Sequence, residues 1–186
     1  VKASDLRNGM AVSIDGQAWL VVSQEHVKPG KGPAYAQVKF KNIQTGAHQE
    51  KRLRSAEEVD QVNLDRRPME YLYSDASGAV FMDNETYDQI NIPADVLGNA
   101  LQYVKPNTGV VGMVFNGNVI SVELPAAVDL EVKDTPPGIK DATKTNQLKE
   151  ATLETGLVTR VPPFIKIGET VRVSTETGEY LSRAGD

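Results

Sequence analysis

Hydrophobic and polar positions alternate along most of this chain, in short runs separated by turn residues. The clearest run is Ala34–Lys41. Ala34, Ala36, Val38 and Phe40 share one face of a strand there, and Tyr35, Gln37, Lys39 and Lys41 share the other. Gln17–Ser23 is apolar enough for a buried strand, and Asp15-Gly16 joins it to Met10–Ile14 as a hairpin. Thr45-Gly46 leads into a further strand, His48–Arg54. Ser55–Leu64 is polar and acidic with no period, which sets a first boundary near Asn63.

A second set of strands opens with Met69–Ser74, turns at Asp75-Ala76-Ser77-Gly78 and resumes at Ala79–Met82. Ile92–Tyr103 holds one short helical candidate, with Val96, Leu97 and Leu101 spaced for one face. Asn116-Gly117 is a hairpin turn between Gly109–Phe115 and Asn118–Glu123. Leu124-Pro125 marks a second boundary. Val128–Asp134 begins a third set, closed by Pro136-Pro137-Gly138 and followed by a polar loop, Ile139–Glu150. Leu157–Val161, Phe164–Ile167, Thr170–Ser174 and Glu179–Leu181 complete it. The pattern predicts an all-β chain of three small barrels, 1–63, 64–126 and 127–186. At about 60 residues each they are small for independent cores, so packing between them matters.

Composition removes several kinds of chemistry. The 186 residues include no Cys, which excludes disulfides, thiolate metal sites and cysteine nucleophiles. This fits a reducing cytoplasm. No apolar run reaches the ~20 residues of a membrane span, and the start does not read as a signal peptide. His26 and His48 do not stand at metal-ligand spacing, and no Gly-x-Ser-x-Gly occurs. Asp83, Glu85 and Asp88 read as a solvated turn rather than an acid/base pair. No enzymatic constellation, metal or cofactor is therefore expected.

Charge is unevenly spread. From His26 to Arg54 stand Lys28, Lys31, Lys39, Lys41, Lys51, Arg52 and Arg54 against Glu50 alone, a local balance of +6 in a chain of net charge −5. A basic block on an acidic protein fits one anionic contact surface, and equally a solvated sheet face. Within it, Lys28-Pro29-Gly30-Lys31-Gly32-Pro33 joins two strands. Two prolines withhold amide donors, and two glycines permit a tight loop with Lys31 at its tip. This is not a phosphate-binding P-loop, because the Ser/Thr after the lysine and the upstream glycine spacing are missing. On local pattern alone it also suits an ordinary hairpin turn.

Several stretches, in order, resemble the bacterial elongation factor P family along nearly the whole chain. They are Ser4-Asp5-Leu6-Arg7-Asn8-Gly9, His26 to Gly32, Tyr71-Leu72-Tyr73, Phe81 to Tyr87, Lys149-Glu150-Ala151, Gly156, Val161-Pro162, Gly168-Glu169 and Gly178 to Arg183. The resemblance implies an SH3-like, KOW-type barrel followed by two OB-fold barrels, in a bent, tRNA-like arrangement. It implies a monomer that binds the ribosome between the peptidyl and exit sites, beside peptidyl-tRNA and ribosomal RNA. It also implies relief of stalling at consecutive prolines. The lysine at the position of Lys31 is often covalently extended in the family, which adds a lysine-modifying enzyme as a partner. Lys28 is not the residue usually modified. Some members carry a Gly-Asp-Thr stretch near the exit-site codon. Here it aligns with Asp141-Ala142-Thr143, of which only Thr143 is retained, with Lys140 and Lys144 beside it as replacement cations.

Proline is a poor acceptor in peptide transfer because its ring restricts approach. A factor that orders the peptidyl-tRNA lowers the entropic part of that barrier without donating a catalytic group. Lys31 suits that role, with Lys39, Lys41, Lys51, Arg52 and Arg54 as candidates to hold the RNA backbone. Two other readings are a general single-strand RNA-binding protein and a ribosome adaptor without effect on peptide transfer. The first needs aromatic platforms, which a chain with 6% aromatic residues scarcely supplies. Tyr35 is available for stacking, while Trp19, in an apolar strand, belongs to the core.

Overall fold

Ala11–Ile14 (β1) and Gln17–Val27 (β2) form the first hairpin of the computed structural model, which describes residues 1–138 and 147–184. Tyr35–Asn42 (β3), His48–Arg54 (β4) and Asp60–Val62 (β5) complete a sheet in the order β4-β3-β2-β1-β5. The alternation of β3 is as expected: Ala36, Val38 and Phe40 are buried and Lys39 is exposed. They pack with Leu6, Val12, Val21 and Val59, and a half-buried Trp19 lies against the same core. Burying one side chain such as Phe40 stabilises by about 1.5–3 kcal/mol. β2 runs to Val27 rather than Ser23, because its last four residues continue the ladder with β3. β5 lies in the stretch that showed no period. At three residues it is too short to show one, and β1 holds it by backbone pairing.

Asp65–Asp75 (β6), Gly78–Asp83 (β7), Gln89–Pro93 (β8), Gly109–Phe115 (β9) and Asn118–Glu123 (β10) form a second sheet, β10-β9-β6-β7-β8. β8 was not expected, since its five residues include only Ile90 and Ile92 as apolar anchors. The helical candidate is divided. Ala94–Leu97 (α1) makes one turn, stops at Gly98, and a 3-10 turn follows at Ala100–Gln102.

Ala127–Asp134 (β11), Lys149–Leu153 (β12), Val158–Val161 (β13), Thr170–Ser174 (β14) and Tyr180–Arg183 (β15) form the third sheet, β13-β12-β11-β14-β15. The expected strand at Phe164–Ile167 is absent. It follows Pro162-Pro163, which withhold two amide donors, and it turns so that Ile165 is buried while Phe164 and Ile167 stay exposed. β12 takes up the end of the expected polar loop, with Ala151 and Leu153 as its buried face.

By compactness the chain falls into two units, Val1–Arg67 with Gly112–Glu123 and Pro68–Val111 with Leu124–Asp186. Within the second unit, Tyr103 is buried in the core of the third sheet beside Leu130, Val132, Leu153 and Val171. The Thr155 hydroxyl donates to the Gln102 carbonyl, and Lys105 Nζ lies 3.7 Å from Glu154 Oε2. A small core is thus enlarged by a residue from the preceding segment, the packing that short domains need. Among the described residues no helix is long and apolar enough to cross a membrane.

Candidate functional site

β2 and β3 stop pairing at Val27 opposite Tyr35, and every residue from Lys28 to Pro33 is exposed. Pro29 and Pro33 carry no amide donor, so the two strands cannot zip further through them. The two glycines are not equivalent. Gly32 has φ +99°, whereas Gly30 does not adopt a positive φ, and a Cβ at either would meet nothing within 4 Å. Only Gly32 uses the freedom that both were expected to use. Gly32→Ala should therefore cost about 1–2 kcal/mol or force the tip to rearrange, and Gly30→Ala should change stability by less than about 0.5 kcal/mol. Denaturant melts of the two variants check this directly. Among the described residues the Lys31 ammonium has no ion pair or hydrogen bond.

The pairing of β3 with β4 sorts the basic block onto two faces. Tyr35, Gln37, Lys39 and Lys41 stand opposite Arg54, Arg52, Glu50 and His48, and directly paired residues point to the same side. Lys39, Lys41, Arg52 and Arg54 therefore share the outer face at and beyond the base of the Lys31 loop. Lys51 does not. It stands opposite buried Val38, on the side of Leu53, and lines a shallow pocket with Ser13, Ile14, Glu57, Glu58 and Asp60. Its sequence neighbourhood suggested otherwise, but the two-residue period that places Leu53 inward also places Lys51 there. Conversely, Glu25 comes onto the basic face opposite Gln37, although it precedes the block in sequence.

The carboxylates of this face leave most of its cations unpaired. Glu50 accepts a hydrogen bond from Gln37 Nε2. Lys39 and Arg54 have no ion pair or side-chain hydrogen bond among the described residues, and Arg52 touches only the Tyr35 ring, 4.3 Å from its centroid. Elsewhere several cations are held by carboxylates. Arg66 donates to Glu123 at 2.8 and 3.2 Å, Arg172 to Asp129 at 2.9 and 3.3 Å, and Arg183 lies 3.2 Å from Glu169. The hydrogen bond from Arg172, with its charge, holds the Asp129 carboxyl below its ordinary range. A sheet face on which most of the positive charge has no internal partner suits an external anion.

The remaining candidates fall elsewhere. Lys28 is exposed at the start of the loop. Lys140, Thr143 and Lys144 lie outside the described residues. His26 and His48 are exposed on different strands, and no metal-holding group of three or more His, Asp or Glu occurs among the described residues. Asp83 is buried rather than solvated, and its Oδ1 accepts the amides of Glu85 and Thr86 at 2.8 and 3.2 Å, which builds the turn.

Three family profiles match the chain in succession: "Elongation factor P (EF-P) KOW-like domain" over residues 2–59, "Elongation factor P (EF-P) OB domain" over 64–122, and "Elongation factor P, C-terminal" over 128–183. They follow the order of the three sheets, so the fold is three consecutive β domains beginning with a KOW-like one. Elongation factor P of Moorella thermoacetica is 44% identical over 184 residues, covering 99% of this chain and 100% of its own. Elongation factor P of Acidothermus cellulolyticus is 46% identical over 181 residues, 97% of each chain. A solved structure of eukaryotic translation initiation factor 5A from Methanococcus jannaschii is 25% identical over 66% of this chain and 94% of its own, with a TM-score of 0.37, too low to carry an argument. The three consecutive profiles and the full-length relatives place this chain in the elongation factor P family, whose members are translation elongation factors rather than enzymes.

Proposed function

We propose that this protein binds the ribosome beside peptidyl-tRNA, between the peptidyl and exit sites, and speeds peptide-bond formation at consecutive prolines. The observation that carries the reading is an exposed, unpartnered Lys31 at the tip of a loop based on a face of largely uncompensated cations. The loop supplies reach, since nothing of its own chain surrounds it. Its ammonium meets phosphate or sugar oxygens near the reacting end of the tRNA, and the ordering of that end lowers the entropic part of the barrier. Lys39, Lys41, Arg52 and Arg54 hold RNA backbone by a sequence-independent attraction. An unpaired, exposed Lys31 is also open to covalent extension by a modifying enzyme. The factor works as a monomer in the cytoplasm, through domains bounded at 63 and 126.

Binding should weaken as salt rises, because each phosphate neutralised by the protein releases counterions. Lys39→Gln with Lys41→Gln should lower affinity for stalled ribosomes and flatten the salt dependence by about one unit of slope for each phosphate no longer held. Lys51→Gln should do neither, since Lys51 faces the other way. Titrations of all three proteins across salt give the answer. Equal slopes would make the basic face a merely solvated one.

A further inference from the structure

Arg52 and Tyr35 form the one cation–aromatic stack of the first sheet among the described residues, and among those residues the guanidinium has no ion pair or hydrogen bond. Tyr35 is the first residue of β3, four positions after Lys31, and it stands opposite Arg54. The backbone there is fixed, since the Ser55 amide donates to the Ala34 carbonyl at 3.2 Å. Two carboxylates on this face are near enough in register to neutralise Arg52: Glu25, across Gln37 on β2, and Glu50, two residues away on β4. Neither does. The neutral Gln37 lies between them, and its amide donates to Glu50 instead.

Guanidinium donors lie in the plane of the group, so stacking on a ring occupies its face and leaves its edge free. The ring also restricts the long side chain, and less freedom remains to be lost when an anion binds. A guanidinium lying over a ring has its planar edge available to match a phosphodiester bidentately, which an ammonium does not. The separation from Lys31 bounds the target, because four residues span at most about 14 Å. An anion gripped here lies within a few nucleotides of what Lys31 touches.

We propose that Tyr35 and Arg52, with Arg54 beside them, form a preset phosphate clamp that grips the peptidyl-tRNA strand and thereby seats the Lys31 loop. This rests on the function proposed above and makes Tyr35 a positioning residue, acting through Arg52.

The test uses the full chain with Arg52→Lys, Arg52→Gln, Tyr35→Phe and Tyr35→Leu, binding to ribosomes stalled at Pro-Pro with peptidyl-tRNA and to vacant ribosomes. Thermal melting controls for folding. Arg52→Gln should weaken binding to the tRNA-bearing ribosomes about tenfold and reduce the salt slope by about one. Arg52→Lys should keep that slope yet lose most of the affinity, because the charge remains and the planar edge does not. Tyr35→Phe should match the parent protein, while Tyr35→Leu should behave as Arg52→Lys and add nothing in the Arg52→Gln background. On vacant ribosomes none of these differences should appear. Full affinity in Arg52→Lys, or a Tyr35→Leu variant indistinguishable from the parent, would overturn the clamp. Equal losses on vacant ribosomes would place the phosphate in ribosomal RNA and overturn it as well. If the unaltered protein fails to stimulate Pro-Pro synthesis, the functional reading itself falls, whatever the clamp variants show.

Discussion

Lys31→Ala is expected to remove most of the stimulation of Pro-Pro synthesis, slowing the assisted step about tenfold or more, while leaving the fold and much of the ribosome affinity intact. The residue is exposed in a loop that packs against nothing, so truncation opens no cavity, and such changes shift stability by about 0.5 kcal/mol or less. Lys39, Lys41, Arg52 and Arg54 are untouched on the sheet face below it. What disappears is the one charge carried at the tip. Lys28→Ala should be milder, since Lys28 follows directly on the last paired residue of β2. Dipeptide formation on a Pro-Pro message at saturating factor, with equal thermal melting, measures both. A larger loss in Lys28→Ala would put the working end of the loop at its base.

Gly78→Ala should be the most damaging single methyl group in the second sheet. Gly78 is buried where β7 begins, opposite Pro93 at the end of β8. A Cβ there would stand 2.1 Å from the Ile92 carbonyl oxygen, 3.0 Å from its carbon and 3.1 Å from the Pro93 Cα. All three are backbone atoms, so no side chain can rotate away, and β7 and β8 must separate. Overpacking of this kind costs about 1–3 kcal/mol and more when the backbone itself is in the way. A melting transition lowered by several degrees is expected from about 2–4 °C per kcal/mol in a chain of this size. Gly30→Ala, in open space, is the matched control.

The elements that could be read from the sequence were those in which a local signal and the tertiary environment agree. Asp15-Gly16 and Asn116-Gly117 form the expected hairpin turns, with positive φ at all four residues. β3 alternates because one of its faces is core and the other is not. The strands that escaped are short or poor in apolar residues. β5, β8 and β12 are held by neighbours through backbone pairing, which leaves little trace in side-chain pattern. Phe164–Ile167 misled in the opposite way, since an apolar run after two prolines contributes one buried plug, Ile165, rather than a strand. The same distinction applies to the site. The Lys31 loop was legible because Pro and Gly act locally. The membership of the basic face was not, because it depends on cross-strand register: Lys51 leaves it and Glu25 joins it. The Arg52–Tyr35 stack likewise joins residues on two strands that sequence order keeps far apart.

The central claim, that the Lys31 tip reaches the reacting end of peptidyl-tRNA, is tested most directly by proximity. A photoreactive residue at position 30 leaves Lys31 in place and occupies open space without a positive-φ requirement. On ribosomes stalled at Pro-Pro, irradiation should cross-link this position to the acceptor end of the peptidyl-site tRNA. The same group at Asp15, in the turn between β1 and β2, should not yield that product. Cross-links from position 30 confined to ribosomal protein, or to RNA remote from the tRNA acceptor end, would contradict the account.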